Sequence, residues 1–225
     1  AYPESKIALM NKLLDVVEKE ANRNRLSLHL IEVPEEDLEL AAVLRRGGYS
    51  RSRHVPTTYI DIRWSSFKEY EKYLDRVSRH ARKNLRNQVN RSRKSGTLIS
   101  VSKNVSEDAE RLHELMTMNY QKYWNLPFCF NQDFFSALKR NLGQNALLHV
   151  SRKANFITGV AMELRYNGTS HIPLVGIDHE RCANDMTYFV LTSYAPIAEA
   201  ISSGITRLYF GQGHYLNKMR LGFKT

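Results

Sequence analysis

Apolar positions recur every three or four residues in some stretches of this chain and every second residue in others, so helices and strands can be told apart along most of its length. Residues 5–25 read as a helix, with Ser5 as its cap and Met10, Leu13, Leu14, Val17 and Ala21 on one stripe. Residues 27–33 alternate and predict a strand. Pro34 and the acidic Glu35, Glu36 and Asp37 suit the first turn of a helix that runs to Arg46 and stops at Gly47-Gly48-Tyr49. Residues 57–62 alternate again. Ser66-Phe-Lys-Glu69 is a capping box, and Phe67, Tyr70, Leu74, Val77, Ala81, Leu85 and Val89 carry one long, bent amphipathic helix to Ser95-Gly96.

From Thr97 the order is more regular. The pattern predicts a strand over 97–103, helices over 106–123 and 131–141, and three strands over 146–152, 156–166 and 170–178. Asn167-Gly168 is a hairpin turn, and Pro173 lacks the N–H a ladder needs, so it marks a bulge or an edge. A helix over 186–203 follows, kinked by Pro196 and closed by Gly204. Last come a strand over 206–210 and a short helix after Gly211 and Gly213, stopped by Gly222. The sequence of strand, short helix, glycine and aromatic thus occurs twice, near Tyr49 and near Phe223, which points to a duplicated unit.

The 225 residues are 42% hydrophobic and 10% aromatic, as in a folded soluble protein with a real core. No apolar run is long enough to span a bilayer and no basic-then-apolar leader is present, so a cytoplasmic location is expected. The start at Ala1 suggests a piece of a longer protein. Two cysteines, Cys129 and Cys182, suit free thiols in a reducing compartment better than a disulfide scaffold or a zinc site. Charge carries more information. There are 33 basic and 23 acidic residues, a net +10. Eight of the basic ones (Arg76, Arg79, Arg82, Lys83, Arg86, Arg91, Arg93, Lys94) fall in one stretch with no acid, and without them 25 face 23. The excess is local, which suggests one element facing a polyanion.

The element order from Thr97, the basic Arg-x-x-x-Leu-Arg helix before it, Gly176-Ile-Asp178 ending a strand, and Phe210-Gly-x-Gly-x-x-x-x-Lys218-x-x-x-Gly222 together resemble the GNAT superfamily of acyltransferases. In particular they resemble its tandem members, the Fem-type peptidoglycan aminoacyltransferases and acetyltransferase domains linked to exopolysaccharide and cell-envelope synthesis. The resemblance implies an α/β (α+β) fold with a mixed, mostly antiparallel sheet flanked by helices and a partial second unit at the N-terminus. Residues 1–62 would be the end of a first unit, 63–96 a basic connecting helix and 97–225 a second unit. It also implies an N-acyltransferase that moves an acyl or aminoacyl group from acyl-CoA or aminoacyl-tRNA to an amine, with no metal. The alternative is a non-catalytic nucleic-acid or envelope-binding module that has kept the fold.

In such a fold the strands over 170–178 and 206–210 diverge and the donor lies in the opening. Asp178 and His179, at the end of one strand, are the candidate bases, and Tyr209 is a candidate hydroxyl donor. Lys218 takes the helix position where many such enzymes hold a tyrosine acid, and would grip a phosphate or the oxyanion. The donor-phosphate loop maps onto His179 to Met186. Arg181 and Asn184 would bind there, with Gly211, Gly213 and Lys218 across the opening. Asn184 and Met186 stand where the superfamily has glycines, which favours an aminoacyl-tRNA donor over CoA. The phosphates of tRNA, or an anionic inner-membrane surface, would meet Arg79, Arg82, Lys83 and Arg86. A dinucleotide reading of Gly211-x-Gly213 lacks the third glycine and the ribose-binding acid, and no hydrolase elbow, Walker loop or Cys-x-x-Cys pair occurs.

Overall fold

The computed structural model describes residues 5–31 and 33–225, which divide into two compact units, 1–56 and 57–225. The smaller unit holds α1 (Lys6–Arg23) and α2 (Leu38–Arg46). Ser5 and Asp37 cap them by accepting from the backbone N–H groups of Ala8 and Leu40. An ion pair from Lys6 to Asp37 and a hydrogen bond from the Tyr49 hydroxyl to Glu18 join its parts. Val43 is the one fully buried side chain among its described residues, and the stripe expected on α1 is at best half covered, with Leu13 exposed. The strand expected over 27–33 is corrected: residues 27–31 and 33 form none, and Glu32 lies outside the described residues. Alternation makes a strand only where a neighbour completes the ladder, and no strand is assigned among the described residues of this unit. The first copy of the repeated pattern therefore lacks its strand.

The larger unit is one sheet with helices on both faces. Its strands are β1 (Tyr59–Asp61), β2 (Thr97–Ser102), β3 (Ala146–Lys153), β4 (Phe156–Tyr166), β5 (Thr169–Ile177) and β6 (Arg207–Tyr209), in the spatial order β1-β6-β5-β4-β3-β2. All neighbours are antiparallel except β5 and β6, which are parallel. The mixed, mostly antiparallel architecture expected from the sequence is therefore present, and the element order from Thr97 matches throughout.

Each face of the sheet covers its own core. On one side α5 (Ala109–Trp124) and α6 (Asp133–Leu142) bury Leu112, Leu115, Met116 and Phe135 against Leu148, Val150, Val160 and Met162. On the other, α3 (Phe67–Val77), α4 (Ala81–Lys94) and the helix after β5 bury Tyr70, Leu74, Leu85, Leu191 and Ile197 against Ala161, Ile177 and Leu208. The long helix expected over 66–95 is two helices, because Ser78 is extended (φ −158°, ψ 134°) and lets α4 fold back along α3. The helix after β5 is built of α7 (Thr187–Phe189), a π-helical turn (Val190–Tyr194) and α8 (Ala195–Ser202). The π turn sits just ahead of Pro196, where the missing N–H and the ring would break a regular α ladder.

Candidate functional site

The sheet forks at β5. Toward β6 it pairs only through Thr169↔Arg207, Ser170↔Leu208 and His171↔Tyr209. Toward β4 the pairing continues from Tyr166↔Thr169 to Gly159↔Ile177. The register shifts at the branch point, where Glu163 of β4 faces the two residues Ile172 and Pro173, so Pro173 lies in the β-bulge that its missing N–H allows. Past Tyr209 the chain stays with β1 instead: Phe210 N–H donates to Thr58 O (2.8 Å) and Thr58 N–H to Gly211 O (2.9 Å). Among the described residues no strand pairs with the edge of β5 from Ile172 to Ile177 on that side. The two β-segments ending at Asp178 and Phe210 thus diverge, as the sequence led us to expect.

At the wide end, β5 is tied away from β6. Asp178 N–H donates to Thr158 O (2.9 Å), and the Asp178 carboxylate, 5% exposed, accepts from Arg111 of α5 (2.8 Å) and from the backbone N–H of Arg181 (3.0 Å). Burial alone would raise its pKa, but the Arg181 N–H and the Arg111 guanidinium outweigh it and hold the carboxyl below the usual range. The Arg111 and Arg181 guanidinium groups lie 4.7 and 4.1 Å from the centre of the Phe156 ring. Gly176 is glycine because α5 passes so close that a Cβ would stand 2.7 Å from the Leu115 carbonyl carbon and the Met116 nitrogen.

His179 comes next in the chain. Its ring meets Tyr123 edge-on (centroids 5.7 Å apart, planes at 75°), and its Nε2 is buried with no hydrogen-bond partner among the described residues. Burial and the Lys122 charge lower its pKa against the opposing pull of Asp178, so the imidazole is neutral at pH 7. It is thus a ring with an uncommitted nitrogen at this end of the fork.

The loop that follows has the backbone shape its sequence disguises. Asn184 and Met186 adopt φ of +58° and +66°, the left-handed conformation that glycine takes most easily. Between them Asp185, 5% exposed, turns its carboxylate onto the start of α7: Oδ1 accepts from Thr187 N–H (2.8 Å) and Oδ2 pairs with Lys153 (2.6 Å). Arg181 is exposed and pairs with Asp178 at 3.4 Å.

Across the fork, Gly211 and Gly213 take φ of +53° and +78° and turn the chain into α9 (Tyr215–Met219). The Lys218 ammonium is spent inside that turn, donating to the carbonyls of Phe210 (2.6 Å), Gly211 (3.1 Å) and Gln212 (3.2 Å). Tyr209 stacks on His171 (4.4 Å, 13°) at the last paired position. The fork therefore brings Asp178, His179, Arg181 and Asn184 to one side and Tyr209, Gly211, Gly213 and Lys218 to the other.

The basic stretch divides. Arg82 pairs with Asp75 and Arg86 with Glu71, both at 2.8 Å across the α3–α4 hairpin. Arg76, Arg79, Lys83, Arg91, Arg93 and Lys94 are exposed and make no ion pair among the described residues. No three His, Cys, Asp or Glu side chains among the described residues are grouped so as to hold a metal ion, and no described helix is long and apolar enough to cross a membrane.

Arg111, Tyr123, Lys153 and Asp185 were not singled out in the sequence. Asp185-x-Thr187 ahead of a helix is a legible capping signal, whereas nothing in one dimension ties Arg111 to Asp178, 67 positions away.

Comparison with known proteins adds the family. No curated protein matches the sequence. Among solved structures, FemX superposes with a TM-score of 0.56 at 13% identity over 97% of this chain and 74% of its own. A conserved protein of unknown function from Bacteroides thetaiotaomicron gives 0.52 at 13% identity, covering 94% and 70%. The C-terminal domain of a putative lysylphosphatidylglycerol synthetase from Agrobacterium fabrum gives 0.53 at 14%, covering 77% and 51%. At these identities the likeness is one of fold. A family model for peptidoglycan biosynthesis and recognition matches residues 2–225, and the chain belongs to that FemAB-like family.

Proposed function

We propose that this chain is part of an N-acyltransferase that moves an aminoacyl group from tRNA to an amine of a peptidoglycan precursor, with the reacting carbonyl held in the fork between β5 and β6. The observation that carries the reading is the fork itself, a parallel pair that separates after three residues and leaves one edge of β5 unpaired near an uncommitted imidazole. Aminolysis of an ester needs little more than placement, a proton acceptor and somewhere for the charge on oxygen to go. The acceptor nitrogen forms its bond to the carbonyl carbon, the ester C–O bond breaks, and the proton lost by the amine ends on the leaving ribose oxygen.

His179 suits the acceptor of that proton: it is neutral at pH 7 and, in the Nδ1–H tautomer, Nε2 offers a lone pair. Asp178 serves as an anchor that aims His179, since two arginines already take its basicity. Lys218 shapes the Phe210–Gln212 turn, and the Tyr209 hydroxyl is the candidate proton donor on that side. An aminoacyl-tRNA is favoured over acyl-CoA because the Asp185 carboxylate already stands at the start of α7, where a CoA pyrophosphate would need to bind. The phosphates of tRNA would meet the unpaired cations Arg79, Lys83, Arg91, Arg93 and Lys94, with Arg82 and Arg86 available once released from their acids.

Mixing the protein with charged tRNAs and an amine-bearing peptide of a peptidoglycan precursor should yield a new amide, seen by mass spectrometry as the gain of one amino-acid residue. His179→Gln should lower kcat about 100-fold with the melting temperature unchanged. Product from acetyl-CoA and none from charged tRNA would overturn the donor. No product and no saturable binding of either would leave a non-catalytic binding module.

A further inference from the structure

Glu163 is wholly buried at the branch point and is used by none of the steps above. It is the β4 residue opposite the Ile172–Pro173 bulge, and β5 and β6 stop pairing at His171, the residue before that bulge. Both of its carboxylate oxygens are held, by side chains from three strands. His149 Nε2 of β3 lies 2.5 Å from Oε2, while Oε1 accepts from Arg165 Nε of β4 and from the Ser170 hydroxyl of β5, both at 2.6 Å. Arg165 continues to Glu199 of α8 at 3.0 Å. His149 and Ser170 are also fully buried.

A carboxylate in such a place is costly unless it is paired and hydrogen-bonded. Burial would raise the Glu163 pKa, yet the bonds from His149, Arg165 and Ser170 outweigh it and bring it down to about 2, so it stays ionised wherever the protein is folded near neutrality. Charge-assisted bonds of this kind are short and directional, so they fix backbone as well as side chains. Here the fixed backbone is the bulge, and Ser170 is the β5 residue paired with Leu208 of β6 one step before the strands part.

We propose that Glu163 is the positioning residue of the fork: by binding β3, β4 and β5 at the bulge, it sets where β5 leaves β6 and hence where the acyl carbonyl can sit. It touches no substrate and acts through the backbone of β5. The proposal rests on the acyl-transfer reading for its consequence, though its structural part can be measured alone.

The test compares wild type with Glu163→Gln and Ser170→Ala, the second removing one leg of the network and keeping the charge. Amide hydrogen exchange followed by mass spectrometry should speed up about tenfold or more in residues 169–173 and 207–209 of both variants, with β2 and β3 unchanged. In the transfer assay with charged tRNA, kcat should fall about tenfold while KM stays within about twofold, because misplacement of the carbonyl harms the transition state more than binding. Exchange that matches wild type at the fork, or that rises evenly over the whole sheet, overturns the proposal. If Glu163→Gln does not fold, Ser170→Ala decides it. Should wild type transfer nothing, the transferase reading fails, and the exchange experiment still tells whether Glu163 fixes the fork.

Discussion

The two edges of β5 lead opposite lives. Toward β4 it is laddered on both sides of the bulge, its last residue is followed by an N–H bound to Thr158 O, and α5 presses on Gly176. Toward β6 it pairs through three residues and then has no partner strand among the described residues. Both edges belong to the same nine residues, so intrinsic strand propensity cannot explain the difference. What differs is the anchoring on either side: Asp178 holds the end of β5 to Arg111, while Thr58 holds the end of β6 to β1. An opening in a sheet is stable when each departing strand has somewhere else to make its bonds.

The comparison can be broken from its closed side. Asp178→Asn leaves Arg111 with the exposed Glu114 as its remaining anionic partner and should cost about 3 kcal/mol in urea unfolding, at the low end of the range for breaking a buried ion pair. Acid should do the same more gradually. Glu163 and Asp178 both have folded pKa values below their unfolded ones, so each contributes stability that is fully present above the unfolded carboxylate pKa and is lost as pH falls through the folded value. For Glu163 that window runs from its ordinary 4.5 down to about 2 and is worth about 3 kcal/mol, so stability measured by denaturant at a series of pH values should decline across it. Gly176→Ala, which pushes a methyl into the backbone of α5, should cost about 2 kcal/mol by the same measurement. The smallest effect is expected away from the fork: Arg86→Ala, which breaks the solvent-facing Arg86 side of a pair with Glu71, should leave the urea midpoint close to that of wild type.

Much of this was legible in one dimension. The order of elements from Thr97 follows from periodicity and turn residues, and Pro173 marked the bulge because a missing N–H is a local property. The basic run was legible as charge but not as geometry: the acids that neutralise Arg82 and Arg86 sit on the preceding helix, and only the break at Ser78 brings them together. Residues 27–33 misled because alternation records which faces differ, not whether a partner strand exists. Glu163 carries no distinguishing signal in the sequence, since a buried carboxylate is intelligible only once His149, Arg165 and Ser170 are seen around it. Asn184 and Met186 hid a loop whose backbone angles are those of glycine, because non-glycine residues can take that conformation at some strain.

If the acyl-transfer reading holds, Asp185 has a consequence for selectivity. A carboxylate carried by the chain itself, seated on Thr187 N–H and matched to Lys153, behaves as a resident competitor for any negatively charged visitor. Its effective concentration is fixed by the fold and does not fall on dilution. A pyrophosphate seeking that corner would have to evict a neighbour that never leaves, whatever the abundance of the free metabolite.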